Sequence, residues 1–433
     1  MKNADRSYLA LCLIAVLAVA SIFAAAALML HAGDDGVAPS TLGIAGQPKI
    51  YELAYISDFG VLGDNSVNAA AWDGLSRCAS DFNVGAAHYP PRNQSVGAYM
   101  EAIGAAISGG AKLVAVAGAL FETPVWLAQS KYPDIRFLLI DGTPHDEDYT
   151  DDGIGPNTAV IGFDTAQAGF LAGYAAVRGG CRRIGFIGAM PTPEIANAGF
   201  GFAQGADFAA VELGLAKGEV DVNYAYAGTF LARPEVQILA GEWFDSNAGD
   251  TRLQAATAAE GDLRPAPGIE LIFAFGGESE YGVALAAQKS GGQVILYDNV
   301  NDYKLPSIAA VIKRDYAKAV YECAASHMNG AYPGGAAVIC GVGENAIWLG
   351  QAGDGDTRHG QAGESDARHW QAGEGETRHG QAGEGGLSLS QADLDAIAAL
   401  IASGQIEIIR ADANPYTPTS PTNLPLSIAQ IKE

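Results

Sequence analysis

Basic residues are scarce in this chain: 25 Lys and Arg stand against 49 Asp and Glu, for a formal charge of −24. A partner with a phosphate backbone needs clustered Lys and Arg, so no nucleic-acid partner is expected. Cysteine is rarer still, with five in 433 residues. Cys12 lies near the N-terminus, and Cys78, Cys181, Cys323 and Cys340 have no cysteine neighbour at metal-ligand spacing. No zinc site is expected from them. Two readings stay open for these four: disulfides, for which an exported compartment leaves three pairings, or buried free thiols in small-residue cores. Catalytic signatures are also missing. There is no G-x-S-x-G elbow, no P-loop, no H-E-x-x-H and no ordered Ser/His/Asp set. Neither an enzyme nor a cofactor site is expected.

Lys2 and Arg6 precede an uncharged run over residues 8–30. At about 1.5 Å per helical residue, such a run is long enough for a bilayer core of roughly 30 Å. The basic flank favours an N-terminus left inside and a remainder exported. Residues 1–33 are read as a signal peptide or a membrane anchor, with both alternatives open. Residues 34–47 read as a linker. The expected location is extracytoplasmic, associated with the cell membrane through the N-terminal segment.

Beyond the linker, strand and helix signals alternate. Strands are expected at 49–56, 113–118, 136–141, 159–163, 183–188, 221–227, 270–275, 293–297 and 308–312. They are continuous apolar runs rather than alternating ones, as parallel strands buried on both faces require. Helices are expected at 67–82, 96–108, 166–177, 195–213, 281–290 and 316–328. The fold class is therefore α/β, a doubly wound parallel plan that occurs twice. In such sheets ligands bind outside the carboxyl ends of the strands.

The residues at those ends are polar or aromatic. The stretch YISDFGVLGDNSVNAAAWDGL turns from strand to helix through Asp58, Asp64, Asn65, Ser66 and Asn68. Asn65 and Ser66 suit either a helix cap or a ligand contact. Further along the chain, strand ends carry Asp141, Phe230, Gly276, Asp298 and Lys313. Acids, aromatics and one lysine at such positions suit a small polar ligand with a ring.

The same segments carry a resemblance. DFGVLGDNSVNAAAWDGL, YPDIRFLLID, IGFDTAQAGFLAGYAA, YAGTF, FAFGGESEYGVALAA and VIKRDYAKAVYE, in this order, resemble the basic membrane protein family. The resemblance spans residues 49–349 and 387–410. It implies a solute receptor of an ABC importer, with a type I periplasmic-binding fold of two hinged lobes and a permease partner. It further implies a purine nucleoside as the small-molecule ligand, and ligand-binding roles for Asp58, Asn68, Asp141, Phe230, Gly276, Asp298 and Lys313. In that pattern Phe230 supplies one ring, Asp141 reads the base edge, and Asp298 with Lys313 holds the ribose. The chain departs from the family where Val67 replaces the phenylalanine of Asp-x-Ser-Phe-Asn. Phe59, Tyr55 and Trp72 are the candidates to compensate. Alternatives are a sensing or regulatory ectodomain of the same fold, or a non-nucleoside ligand such as a sugar.

The lobes are expected to comprise 48–163 with about 303–335, and 164–302 with about 336–410. Crossings are then expected near 163–166, 299–307 and 329–336. Residues 249–268 read as an inserted loop. Residues 351–386 hold QAGDGDTRHG, QAGESDARHW, QAGEGETRHG and QAGEGG, a ten-residue repeat with hardly any apolar side chain. Such a segment cannot bury enough surface to fold alone and reads as a disordered surface insert. His359, His369 and His379 recur in it beside acids, so weak metal binding is the other reading. A capping box at Ser390 opens a helix over 391–403, 406–410 reads as a strand, and 411–433 as a proline-rich tail. Deleting residues 351–386 is expected to leave thermal stability and ligand affinity nearly unchanged. A large fall in melting temperature, followed by calorimetry, would show that the insert packs on the body.

Overall fold

The computed structural model describes residues 40–42, 51–58, 62, 67–244, 268–298, 305–351, 391–411, 421 and 424–432. The leader, Phe59, Asp64 to Ser66, the loop over 249–267 and the repeat after Gln351 lie outside these residues, as does Ser390. Among the described residues no helix is long and apolar enough to cross a membrane.

Strands run β1 (Ser40–Leu42), β2 (Tyr51–Ile56), β3 (Gly85–His88), β4 (Leu113–Ala117), β5 (Arg136–Ile140), β6 (Thr158–Phe163), β7 (Arg183–Gly188), β8 (Asp221–Tyr226), β9 (Leu271–Phe275), β10 (Gln293–Tyr297), β11 (Ile308–Arg314), β12 (Ala336–Cys340), β13 (Ile347–Gln351) and β14 (Gln430–Lys432). The helices are α1 (Val67–Asp81), α2 (Val96–Ser108), α3 (Glu122–Lys131), α4 (Thr165–Arg178), α5 (Pro193–Glu212), α6 (Pro234–Phe244), α7 (Ser279–Ser290), α8 (Tyr316–Met328) and α9 (Gln391–Ala402). Two seven-stranded sheets result, in the orders β1-β3-β2-β4-β5-β6-β12 and β13-β11-β10-β9-β7-β8-β14. Pairing is parallel throughout, except for β1 with β3 and β11 with β13. The central strands are the apolar runs buried on both faces, as in doubly wound sheets covered by helices.

The chain changes sheet between β6 and β7, after β11, and between β12 and β13. The last two places differ from the expected 299–307 and 329–336. β11 is hydrogen-bonded to β10, so residues 308–314 stay in the second sheet rather than returning to the first lobe. β12 pairs with β6, so residues 336–340 belong to the first sheet, not the second. The apolar run of β11 finds its burial between β10 and β13; only α8 and β12 go back. Residues 406–410 form no strand. Their backbone bonds to an α5 side chain instead: Ile409 N–H donates to Gln204 Oε1, and the Ile409 carbonyl accepts from Gln204 Nε2. Cys78, Cys181, Cys323 and Cys340 are free thiols.

The lobes are welded internally by glycine. α4 and α5 face each other through Gly169, Gly173, Gly201 and Gly205. A Cβ on Gly173 would fall 1.9 Å from the Phe202 carbonyl oxygen, and one on Gly201 1.9 Å from that of Ala166. In the first lobe, Gly74 of α1 meets the Ala317 carbonyl of α8 in the same way. Gly173→Ala is therefore expected to destabilise by about 1–3 kcal/mol or more through overpacking, despite alanine's helix propensity advantage of about 1 kcal/mol over glycine. Gly97→Ala, on an exposed helix face with open space at the Cβ, is the control and should be neutral or slightly stabilising. Urea unfolding of the two variants checks this; equal midpoints would contradict the backbone-distance contact.

Candidate functional site

On the first lobe the site grows from the end of β2. Tyr55 is fully buried, and its hydroxyl donates to Asn68 Oδ1 at 2.7 Å. Asn68 in turn donates from Nδ2 to Asp58 Oδ1 at 2.8 Å. Both Asp58 and Asn68 are thus brought together, with the amide of Asn68 orienting the carboxylate. Tyr55 contributes a hydroxyl here rather than a ring face. Trp72 packs against His88, with ring centroids 6.1 Å apart, and Val67 packs half-buried on the lobe core.

His88 Nε2 lies 2.9 Å from Ser57 Oγ, a pairing the linear sequence did not suggest. Ser57 is 0% exposed, so its hydroxyl is closed to solutes. Burial pushes the His88 pKa down to about 4, which leaves the ring neutral at physiological pH. The pair therefore supports the strand end and does not present a nucleophile.

Asp141 and Asp298 follow β5 and β10, one in each lobe, and both adopt the left-handed region, at φ 52° and 59°. Aspartate tolerates that region better than most side chains. Their carboxylates meet on Arg314, the last residue of β11. Arg314 Nη1 donates to Asp141 Oδ2 and Nη2 to Asp298 Oδ2, each at 2.7 Å. The Tyr316 hydroxyl lies 2.9 Å and 3.0 Å from the same two oxygens. Burial raises the pKa of Asp298, while the Arg314 charge opposes the shift. Arg314 itself is held charged by the two aspartates despite its burial. Beside the cluster, the rings of Phe275 and Tyr297 stack at 3.8 Å.

On the second lobe, Phe230 is 47% exposed in the loop after β8. Its carbonyl accepts from Ser279 N–H at 2.9 Å, which fixes the loop to the start of α7. Gly276 has φ 138°, and a Cβ there would fall 2.2 Å from that of Ala189, so glycine is required. Gly276 N–H donates to Glu280 Oε1 at 2.8 Å, and Tyr297 N–H to Glu280 Oε2 at 3.0 Å. Burial raises the Glu280 pKa well above the usual carboxylate range, while these two bonds oppose it.

Lys313 is placed apart from the Arg314 cluster. Strand alternation turns it to the opposite face of β11, where its side chain runs along Gly350. Arg314, Tyr316 and Glu280 were absent from the sequence reading. The dipeptide Lys313-Arg314 at a strand end was the available signal, because alternation sends the two cations to opposite faces. Among the described residues no group of three or more His, Cys, Asp or Glu is arranged to hold a metal ion.

A family model described as ABC transporter substrate-binding protein PnrA-like matches residues 52–231. The chain is similar to basic membrane protein B of Borreliella burgdorferi, at 25% identity over 322 residues, covering 72% of this chain and 84% of that one. It is also similar to the ABC transporter nucleoside-binding protein BmpA of Lactococcus lactis, at 24% identity over 208 residues, covering 47% of this chain and 55% of that one. Among solved structures, an ABC transporter system solute-binding protein from Conexibacter woesei superposes with a TM-score of 0.52 at 18% identity. That likeness covers 83% of this chain and 99% of the other, and it is one of fold.

Glu280 generates a prediction. Both of its oxygens accept backbone N–H groups in a buried place, and an amide would set an NH2 against one of them. Glu280→Gln is expected to cost about 1–3 kcal/mol of stability, the range for an unsatisfied buried group. Chemical denaturation checks it, and an unchanged midpoint would refute this role.

Proposed function

We propose that this chain, a substrate-binding protein of the basic membrane protein family, is the extracytoplasmic receptor of an ABC importer and takes a purine nucleoside in the cleft between its lobes. The observation that carries the reading is the meeting of Asp141 and Asp298, strand-end carboxylates from different lobes, at one point. A ligand touching both shifts the lobes towards a closed form. In this reading Asp141 reads the base edge, Asp298 holds the ribose without Lys313, which β11 turns to its other face, and Asp58 with Asn68 completes the first-lobe wall. Phe230, exposed without ligand, stacks on the base, and Gly276 lets the backbone approach it. A carboxylate accepts two sugar hydroxyls readily, which fits the ribose role. The Lactococcus lactis relative, named as nucleoside-binding, supports the same ligand class. The partners are then a permease and, through residues 1–33, the membrane.

Val67 favours a second reading. Without an aromatic side chain at that position the base loses one stacking face, so a sugar without a base is the alternative ligand. Stacking on Phe230 is expected to contribute roughly 1–3 kcal/mol, the range for bases on aromatic side chains in single-stranded nucleic-acid complexes. Phe230→Ala and Asp298→Ala should each weaken a purine nucleoside about tenfold or more, on the order of 1.4 kcal/mol. Val67→Phe should tighten it. Calorimetric titration with adenosine, guanosine, inosine and ribose decides the matter. Binding of ribose alone supports the sugar reading; no binding by any nucleoside, with another small molecule recovered from the cleft, ends the purine assignment.

A further inference from the structure

We propose that Arg314 is a positioning residue that ties the ligand-reading carboxylates of the two lobes into one unit and holds the lobes in register before any ligand arrives. Its consequence for binding rests on the receptor reading above; the tie itself does not.

Arg314 closes β11 in the second sheet, two residues before Tyr316 opens α8 in the first lobe. Its two arms do different things. The Nη2 bond to Asp298 stays within the second lobe, whereas the Nη1 bond to Asp141 spans from one lobe to the other. Tyr316 approaches the same Oδ2 atoms from the first-lobe side. Four contacts thus converge on two oxygens. Oδ1 of each aspartate carries no hydrogen bond among the described residues, and it remains for a ligand.

The guanidinium sits in a cage of rings. Its central carbon is 5.2 Å from the centroid of Phe163, 4.7 Å from that of Tyr297 and 4.6 Å from that of Tyr316. Phe163 precedes the first crossing and Tyr316 follows the second, so the cage is made at the hinge. Arg314 Nε is buried without a partner, so all of its hydrogen bonding is spent on the carboxylate pair.

Stability alone is a poor reason for such a group. A buried ion pair often contributes no more than well-packed apolar side chains would. Its particular effect is on the aspartates. Two carboxylate oxygens within reach of one hydroxyl repel unless a cation lies between them or one takes up a proton. The ionisable groups facing the pair are Arg314, Tyr297, Tyr316, Glu280 and the Cys340 thiol. Of these only Arg314 is positive.

The test uses the unliganded full chain in a Cys12→Ser, Cys181→Ser background, with spin labels at Leu127→Cys on α3 and Ile238→Cys on α6. Both positions are exposed and lie in different lobes. Pulsed dipolar spectroscopy reads the interlobe distance at about pH 8 and about pH 5, either side of the range in which a paired carboxylate takes up a proton. The parent should give one narrow distribution at both. Arg314→Met should give a longer and broader one at the higher pH that returns towards the parent at the lower pH, as one aspartate becomes protonated. Arg314→Lys should recover part of the parent distribution by restoring the charge. Asp141→Ala, which removes the interlobe arm together with the Tyr316 contact to the same oxygen, should be broad at both pH values. A parent-like distribution in Arg314→Met overturns the tie, as does a widening equal at both pH values, which would mark Arg314 as packing only. Where Arg314→Met does not fold, a parent-like distribution in Asp141→Ala overturns it. No nucleoside is present, so these outcomes stand whether or not the purine reading does.

Discussion

Two backbone hydrogen bonds set the geometry on which the molecule depends. Asp164 N–H donates to the Cys340 carbonyl, and Asp315 N–H to the Ala346 carbonyl, each at 2.9 Å. Each bond joins one of the first two crossings to the third. The same two aspartates cap the helices that follow, accepting from Gln167 N–H and Lys318 N–H. A crossing therefore cannot slide without uncapping a helix, at a cost of about 1 kcal/mol. Gln167 Oε1 adds a bond from Val342 N–H, which ties the first crossing to the third again. Arg410 caps this side of the hinge by pairing with Asp164.

Movement is thereby confined to a few residues, because the bodies on either side are stiff. α4 and α5 meet at backbone distance and leave no side-chain layer that could shear. One apolar cluster runs from the first lobe through Phe163, Ala166, Cys340 and Ile347 into the second. Separate clusters back the far faces of the two sheets. Strand ends of both lobes consequently face each other at a fixed place, with the polar site between them. Asp141 and Asp298 reach it by the same device, a left-handed residue directly after a buried strand.

Much of this was legible beforehand. The nine strands expected from apolar runs all occur, and so do the seven expected helices. The elements missed have identifiable reasons. β3, GAAH, and β12, AAVIC, are short and built from small residues, so neither periodicity nor bulk marked them. α3 and α6, for which no helix was expected, begin at Glu122 and at Pro234-Glu235, each shortly after a phenylalanine. The segment 406–410 carried a strand signal, yet its neighbours are side chains of α5 rather than another strand. β-propensity records only that a segment fits a half-buried surface, and it does not provide a partner.

By itself, the sequence determined that the chain builds two parallel α/β units, because continuous apolar runs require burial on both faces. It also determined that Asp58, Asp141, Phe230 and Asp298 lie at strand ends or just beyond them, and Asn68 at the start of the helix that follows, where such folds place ligand groups. Tertiary structure alone decided which sheet receives β11 and β12, since either sheet offers a parallel edge to an apolar strand. It alone brought Arg314 to Asp141, a partner 173 residues away in the chain. It also separated Lys313 from that cluster. A charge pattern carries no distance information over such a span, and the choice between two adjacent cations is made by the register of β11 against β10 and β13.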